Sequence, residues 1–101
     1  MKIRLTNGNF EISDKERAII KDRLHLALGR FSLRIGVVKV KLSNGDVGDK
    51  GLKKCRIEVL LRPPRKLVAE DANDDLQLAV DRAATQMAGT VERKRERDDE
   101  K

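Results

Sequence analysis

One side of a C-terminal segment of the sequence carries basic residues at helical spacing. Spacings of four, three, four and four place these positions on one side of a helix: Arg82, Gln86, Gly89, Arg93 and Arg97. Lys94 and Arg95 broaden the last turn. Cations gathered in this way are suited to binding phosphates. The competing interpretation is a solvated helix end, where the same cations complement the helix dipole and pair with Glu92 and Glu96.

A second basic set lies on an N-terminal helical segment and just after it: Lys21, Arg23, Arg30 and Arg34. If the two helices lie side by side, both sets line the same groove. The competing interpretation is that the long side chains pack their stems over the core and keep their charges in water.

The sequence has few of the residues from which a catalytic or metal-binding site could be built. With one histidine, His25, and one cysteine, Cys55, no nucleophile–base pair or four-ligand zinc site can be argued. His25 falls on the polar side of its helix, and Cys55 falls on the apolar face of a strand, where cysteines are usually inert. We therefore expect no enzymatic activity, no metal, no cofactor and no small-molecule substrate.

An acidic cluster invites a magnesium interpretation: Glu70, Asp71, Asp74, Asp75 and Asp81. Capping and favourable charge at a helix N-terminus explain most of this cluster, so we do not predict a metal site.

The charge balance points to a polyanionic partner. The 101 residues include 23 basic and 17 acidic ones, a net charge of +6, and five of the acidic residues are concentrated between residues 69 and 81. Charge kept only for solubility is the alternative. Phe10 and Phe31 are the only aromatic residues, so an aromatic platform for stacking bases is excluded.

The N-terminal half predicts a strand followed by a helix. Alternation over residues 2–12, interrupted at residues 7–9, predicts a first strand with a bend or bulge. Ser13 and Glu16 form the pattern of a capping box, which predicts that a helix starts there. An apolar stripe extends this helix to about residue 31: Ile19, Ile20, Leu24, Ala27, Leu28 and Phe31.

Three strands and a second helix complete the pattern. Alternation predicts two antiparallel strands around residues 38–42 and 54–61, separated by a turn over 43–51, and a short fourth strand over about 65–71 after Pro63-Pro64. Asn73 or Asp74 is expected to cap the second helix, which continues to about residue 96. An apolar stripe defines that helix: Leu76, Val80, Ala83, Met87 and Val91.

The predicted fold class is α+β, in the order β-α-β-β-β-α, with two helices packed on one face of a four-stranded sheet. Residues 1–97 are expected to form a single domain and residues 98–101 an acidic tail. The polar positions on the opposite sheet face are also basic, and either phosphate binding or solubility explains them: Lys39, Lys41, Lys54 and Arg56.

This order of elements, together with the run from Ala69 to Asp81 leading into a basic helix, resembles the hibernation-promoting factor and ribosome-associated inhibitor (sigma-54 modulation protein) family. Ile3 to Asn9 and Asn9 to Asp14 also resemble it. The family has an alanine-rich strand end and an aspartate-containing helix start, matched here by Ala69, Asp75, Ala79, Val80 and Asp81.

The resemblance implies a cytoplasmic factor of ribosome hibernation and stress response, which binds rRNA of the small ribosomal subunit, lies in the channel for messenger and transfer RNA, and inhibits translation. It places RNA contacts on Arg82, Arg93, Lys94, Arg95 and Arg97. The chain departs from the family at Gln77, where a tyrosine is usual, and at Gln86 and Gly89, which are commonly basic. It is also expected to lack the C-terminal domain of long-form members, and so to be a short form.

Two other functions remain open at this stage. The α-β-β-β-α order also occurs in double-stranded RNA-binding domains, so the chain could be a general duplex RNA or DNA binder. It could instead be a protein-interaction module of a stress or transcription complex, docking through acidic residues 70–75. We expect a monomer when the protein is free, and no membrane association, since no apolar run approaches the roughly 18 residues of a membrane span.

Overall fold

The structure is a computed structural model that describes residues 1–8, 11–44 and 51–99, with side chains described as far as residue 94. The elements follow the predicted order: β1 (Lys2–Asn7), α1 (Asp14–Leu28) with a 3₁₀ turn (Gly29–Phe31), β2 (Ile35–Asn44), β3 (Lys53–Leu61), β4 (Arg65–Asn73) and α2 (Leu76–Asp99). The predicted α+β class is confirmed. The central part of the predicted turn, residues 45–50, lies outside the described residues.

The four strands form one sheet in the order β1-β2-β3-β4. β1 pairs with β2 in parallel, because α1 crosses between them, whereas β2–β3 and β3–β4 are antiparallel, as predicted for the two middle strands. Directly opposed residues include Arg4 and Lys39 on β1 and β2, and Lys41 and Arg56 on β2 and β3.

Aliphatic side chains fill the layer between the sheet and the helices. Each strand alternates between this layer and the opposite face, so that β3 buries Cys55, Ile57, Val59 and Leu61. α1 contributes Ile20, Leu24 and Leu28, and α2 contributes small residues beside larger ones: Ala79, Val80, Ala83, Ala84, Met87, Ala88 and Val91. The helices therefore cover one face of the sheet and leave the other open.

β1 is shorter than predicted. It ends at Asn7, and residues 11 and 12 are not in a strand, so the expected strand over residues 2–12 is wrong in its second half. The guanidinium of Arg17 on α1 binds the Leu5 carbonyl oxygen at 3.2 Å and the Asn7 side chain at 2.7 Å, which ties the end of β1 to α1. Ile12 is half-buried against the core, which accounts for the misleading alternation.

Ser13 caps α1, as the predicted capping box requires of its first residue. The Glu16 amide donates to the Ser13 hydroxyl at 3.1 Å, and that hydroxyl lies 3.3 Å from the Glu16 carboxylate. The α-helix itself ends at Leu28, and the last predicted residues continue as the 3₁₀ turn that buries Phe31.

α2 is capped by Asp75, not by Asn73 or Asp74 as predicted. The Asp75 carboxylate accepts hydrogen bonds from the amides of Gln77 at 3.0 Å and Leu78 at 3.3 Å. Asn73 instead accepts from the Asp75 amide at 2.9 Å, which orients the capping residue. α2 extends to Asp99, three residues past the predicted end, so two residues of the predicted acidic tail are helical.

Asp75→Ala should lower the free energy of unfolding by about 1 kcal/mol, because two amides of the first turn of α2 lose their acceptor. Asp74→Ala is the matched control: it removes the same charge next to the cap and should change stability by less than about 0.5 kcal/mol. Urea unfolding followed by circular dichroism measures both. Equal losses in the two variants would show that charge near the helix, not the cap, is responsible.

Candidate nucleic-acid interface

The two helices lie side by side and are joined by polar contacts. Arg23 of α1 forms an ion pair with Asp81 and donates to the Gln77 side chain at 3.2 Å. Further along, Arg30 lies 3.3 Å from the Glu92 carboxylate, and its guanidinium stacks 4.7 Å from the centre of the Phe31 ring. Arg30, in the 3₁₀ turn that follows α1, contacts the later residue of α2, Glu92, so α1 and α2 run in the same direction.

Among the described side chains, carboxylates partner several of the residues predicted to bind RNA. Besides Arg23 and Arg30, Arg82 pairs with Asp71 at 2.9 Å. The sequence places these acids at distant positions, and only the packing of α1, α2 and β4 brings them to the arginines. The helical surface therefore presents less unpaired positive charge than the spacing of its cations predicts.

The Arg82–Asp71 pair has a structural role. Asp71 lies on the helix-facing side of β4, opposite Cys55, and its side chain is only 15% exposed. Arg82 pairs with this carboxylate while about half of the Arg82 side chain stays exposed to solvent.

The thiol of Cys55, opposite Asp71, is unreactive. Burial, and to a lesser degree the charge of Asp71, raise the pKa of the Cys55 thiol to about 12, so this thiol stays protonated near neutral pH.

Arg93, Lys94 and Lys21 have no carboxylate partner within the described part of the chain. Arg93 donates to the Thr90 hydroxyl at 3.1 Å. Arg34 is half-buried and immediately precedes β2; its carbonyl oxygen accepts a hydrogen bond at 2.7 Å from the amide of Arg62, the residue that follows β3. Arg95 and Arg97 lie on α2, but their side chains are outside the described residues.

The three departures from the family pattern have distinct surroundings. Gln77, at the position of the usual tyrosine, accepts the hydrogen bond from Arg23 and so joins α2 to α1. Gln86 is exposed, beside Arg82 and Thr85. A Cβ at Gly89 would lie 3.3 Å from the end of the Arg93 side chain, so glycine here leaves room for that guanidinium to lie against the helix.

The open face of the sheet holds a second group of cations. The predicted positions Lys39, Lys41, Lys54 and Arg56 are all exposed there. Lys2 and Arg4 of β1 join them, although we did not single them out from the sequence. Alternation of β1 places both on the same side as Thr6, and this was the signal that could have identified them.

Comparison with known proteins gives the chain a family. A family model described as Sigma 54 modulation protein / S30EA ribosomal protein matches residues 3–99. The chain belongs to this family. The membership confirms the resemblance drawn from the sequence, and it fits the observed β-α-β-β-β-α order.

Solved structures share the family fold. The N-terminal domain of Protein Y from Thermus thermophilus is 29% identical, with a TM-score of 0.76 over 92% of this chain and 98% of that one. A ribosomal subunit interface protein from Coxiella burnetii is 20% identical, with a TM-score of 0.79 over 94% and 98%, a likeness of fold. No curated protein matches the chain. Within the described residues, no helix is long and apolar enough to cross a membrane.

Arg82→Gln should lower the free energy of unfolding by about 1 to 2 kcal/mol, because it leaves the carboxylate of Asp71 without its cation in a site that water barely reaches. Adding Asp71→Asn should recover most of this loss. Arg93→Gln serves as the control and should be neutral within about 0.5 kcal/mol. Urea unfolding that finds Arg82→Gln as stable as the unmodified protein would contradict the structural role.

Proposed function

We propose that this chain is a ribosome hibernation factor that binds rRNA of the small ribosomal subunit through its helices and thereby inhibits translation. The match of nearly the whole chain to a family that includes the S30EA ribosomal protein carries this proposal. The likeness to the Protein Y domain supports it, since at 29% identity it covers almost all of both chains.

The helical surface suits phosphate binding at the cations that have no carboxylate partner among the described residues, Lys21, Arg93 and Lys94. Arg30 can join them, because both partners of its ion pair with Glu92 are more than half exposed. Such exposed pairs contribute only about 0 to 1 kcal/mol, so an rRNA phosphate can replace the carboxylate. Arg82 is the weakest RNA-binding candidate of the set, since its release would leave Asp71 unpaired. Arg95 and Arg97 remain candidates by family position, and Arg23 and Arg34 remain candidates because they belong to the basic set predicted beside the second helix.

Inhibition would follow from occupancy. A rigid domain held by phosphates in the channel of the small subunit excludes messenger and transfer RNA without any chemical step. The proposed factor therefore needs no enzymatic activity. We also propose that it acts in the cytoplasm and is a monomer when free. Residues 1–97 would form its ribosome-binding domain.

Three single-charge variants test the helical surface. The logarithm of the association constant for small ribosomal subunits should fall with the logarithm of the salt concentration. Arg93→Gln should make this slope shallower by about 1, because one phosphate contact is lost. Lys15→Gln, at the start of α1, removes the same charge away from Arg93 and should leave the slope unchanged. Gln86→Lys, which adds an exposed cation between Arg82 and Arg93, should make the slope steeper by about 1.

The measurement is co-sedimentation of the protein with isolated small subunits over a series of salt concentrations. Failure of the unmodified protein to pellet at low salt would overturn the proposal. Equal affinity for a plain RNA duplex would favour a general duplex binder, and binding to a protein partner at high salt with no RNA affinity would favour an interaction module.

A further inference from the structure

We propose that the open face of the sheet is a second RNA-binding surface, which contacts backbone phosphates on the side of the molecule away from the helices. Six cations form this sheet surface: Lys2, Arg4, Lys39, Lys41, Lys54 and Arg56. The proposal does not depend on the helical surface, because the residues and the side of the molecule are different.

The register brings like charges together. Arg4 lies directly opposite Lys39, and Lys41 lies directly opposite Arg56. Directly opposed side chains on neighbouring strands are about 5 Å apart at Cβ, and like charges at such positions destabilise a sheet. A face kept polar for solubility needs no such pairs. Their cost to folding is offset when a polyanion occupies the face.

Among the described residues, two acids lie on this face: Glu58 of β3, directly opposite Lys39, and Glu70 of β4, directly opposite Arg56. Glu70 is 3.4 Å from Arg56, and Glu58 is 3.3 Å from Lys66. Arg4, Lys39, Lys41 and Lys54 have no carboxylate partner in the described ranges. Among the described residues, cations on this face therefore outnumber acids, and none of these four forms an ion pair, although Glu58 lies opposite Lys39.

The shape of the face fits an extended backbone. A shallow depression of about 460 Å³ runs over it, lined by four of the cations and by Thr6 and Glu58: Arg4, Lys39, Lys41 and Arg56. Lys39 and Lys41 stand two residues apart on one strand, about 6.7 Å along it. A strand of phosphates laid across the sheet can meet several of these cations at once.

RNA suits this face better than an acidic protein does. The cores of protein interfaces are depleted in lysine and are built around buried aromatic or other large anchors. The depression on this face is lined mainly by lysine and arginine, with Thr6 and Glu58 among them, and none of the four strands contains an aromatic residue. Recognition would therefore rest on phosphates, without base stacking and without sequence preference.

The test uses the double variant Lys39→Gln/Lys41→Gln and a control with equal charge loss, Lys15→Gln/Arg65→Gln. Arg65 is exposed at the start of β4, and its partner Leu61 faces the core, so it is not part of the sheet surface. Binding to a fluorescent 12-nucleotide oligouridine is followed by anisotropy over a salt series. Two lost single-strand contacts should reduce the slope by about 1.4, and the control should not.

A second readout locates the contact without any mutation. Titration of the ¹⁵N-labelled protein with the same oligouridine should shift the amide resonances of β1 and β2. Shifts confined to α1 and α2, or a sheet variant that binds like the control, would overturn the proposal. Equal competition by polyglutamate would overturn it in favour of an acidic protein partner.

These outcomes separate the two proposals. If the unmodified protein does not bind ribosomes but binds oligouridine through the sheet, the proposed function is wrong and the proposed sheet surface is supported. If ribosome binding needs Arg93 but is unchanged in the sheet variant, and no amide resonances of β1 and β2 shift, the proposed function is supported and the proposed sheet surface is wrong.

Discussion

The apolar layer between the sheet and the helices determines where every charge in the described molecule can lie. With Phe31 as the only buried aromatic residue in the described ranges, the layer is built from aliphatic side chains, and alanines on α2 let that helix lie close to β3 and β4. Both faces of this layer are apolar, so cations are confined to the outer sides of the helices and of the sheet. The protein therefore has two charged surfaces on opposite sides of one core.

The two surfaces differ in how their charge is balanced. On the helical side, acids from α2 and β4 partner arginines that the sequence presents as phosphate ligands, and these pairs also hold α1 to α2 and α2 to β4. On the sheet side, Arg4 lies opposite Lys39 and Lys41 lies opposite Arg56, while the described acids Glu58 and Glu70 lie opposite Lys39 and Arg56. Among the described residues, more of the six cations of the sheet surface than of the predicted RNA-binding cations of the helices lack an ion pair.

Much of the fold follows from periodicity alone. The N-cap at Ser13, the alternation of β2 and β3 and the stripe of α2 each depend on residues close in sequence, and each is confirmed. The errors arose where a neighbouring element decides the outcome: Arg17 ties down the end of β1, and Asn73 orients Asp75 as the cap of α2.

The candidate site was less accessible to sequence reasoning. A helical spacing identifies which cations share a side of α2, but the partners of Arg82 and Arg30 come from other elements, from β4 and from the other helix respectively. Such pairs depend on packing geometry, which spacing does not encode. The alternation within each strand places the basic residues on one face of the sheet. Which of them lie opposite one another on neighbouring strands can be seen only from the register in the structure.

The most direct test of the central claim, that a phosphate-binding domain occupies the small ribosomal subunit, is electron cryo-microscopy of the protein reconstituted with isolated small subunits. The expected map shows the domain between rRNA segments, with the C-terminal half of α2 against the phosphate backbone near Arg93. A map in which the subunit carries no density for the domain, or in which α2 faces solvent, would contradict it.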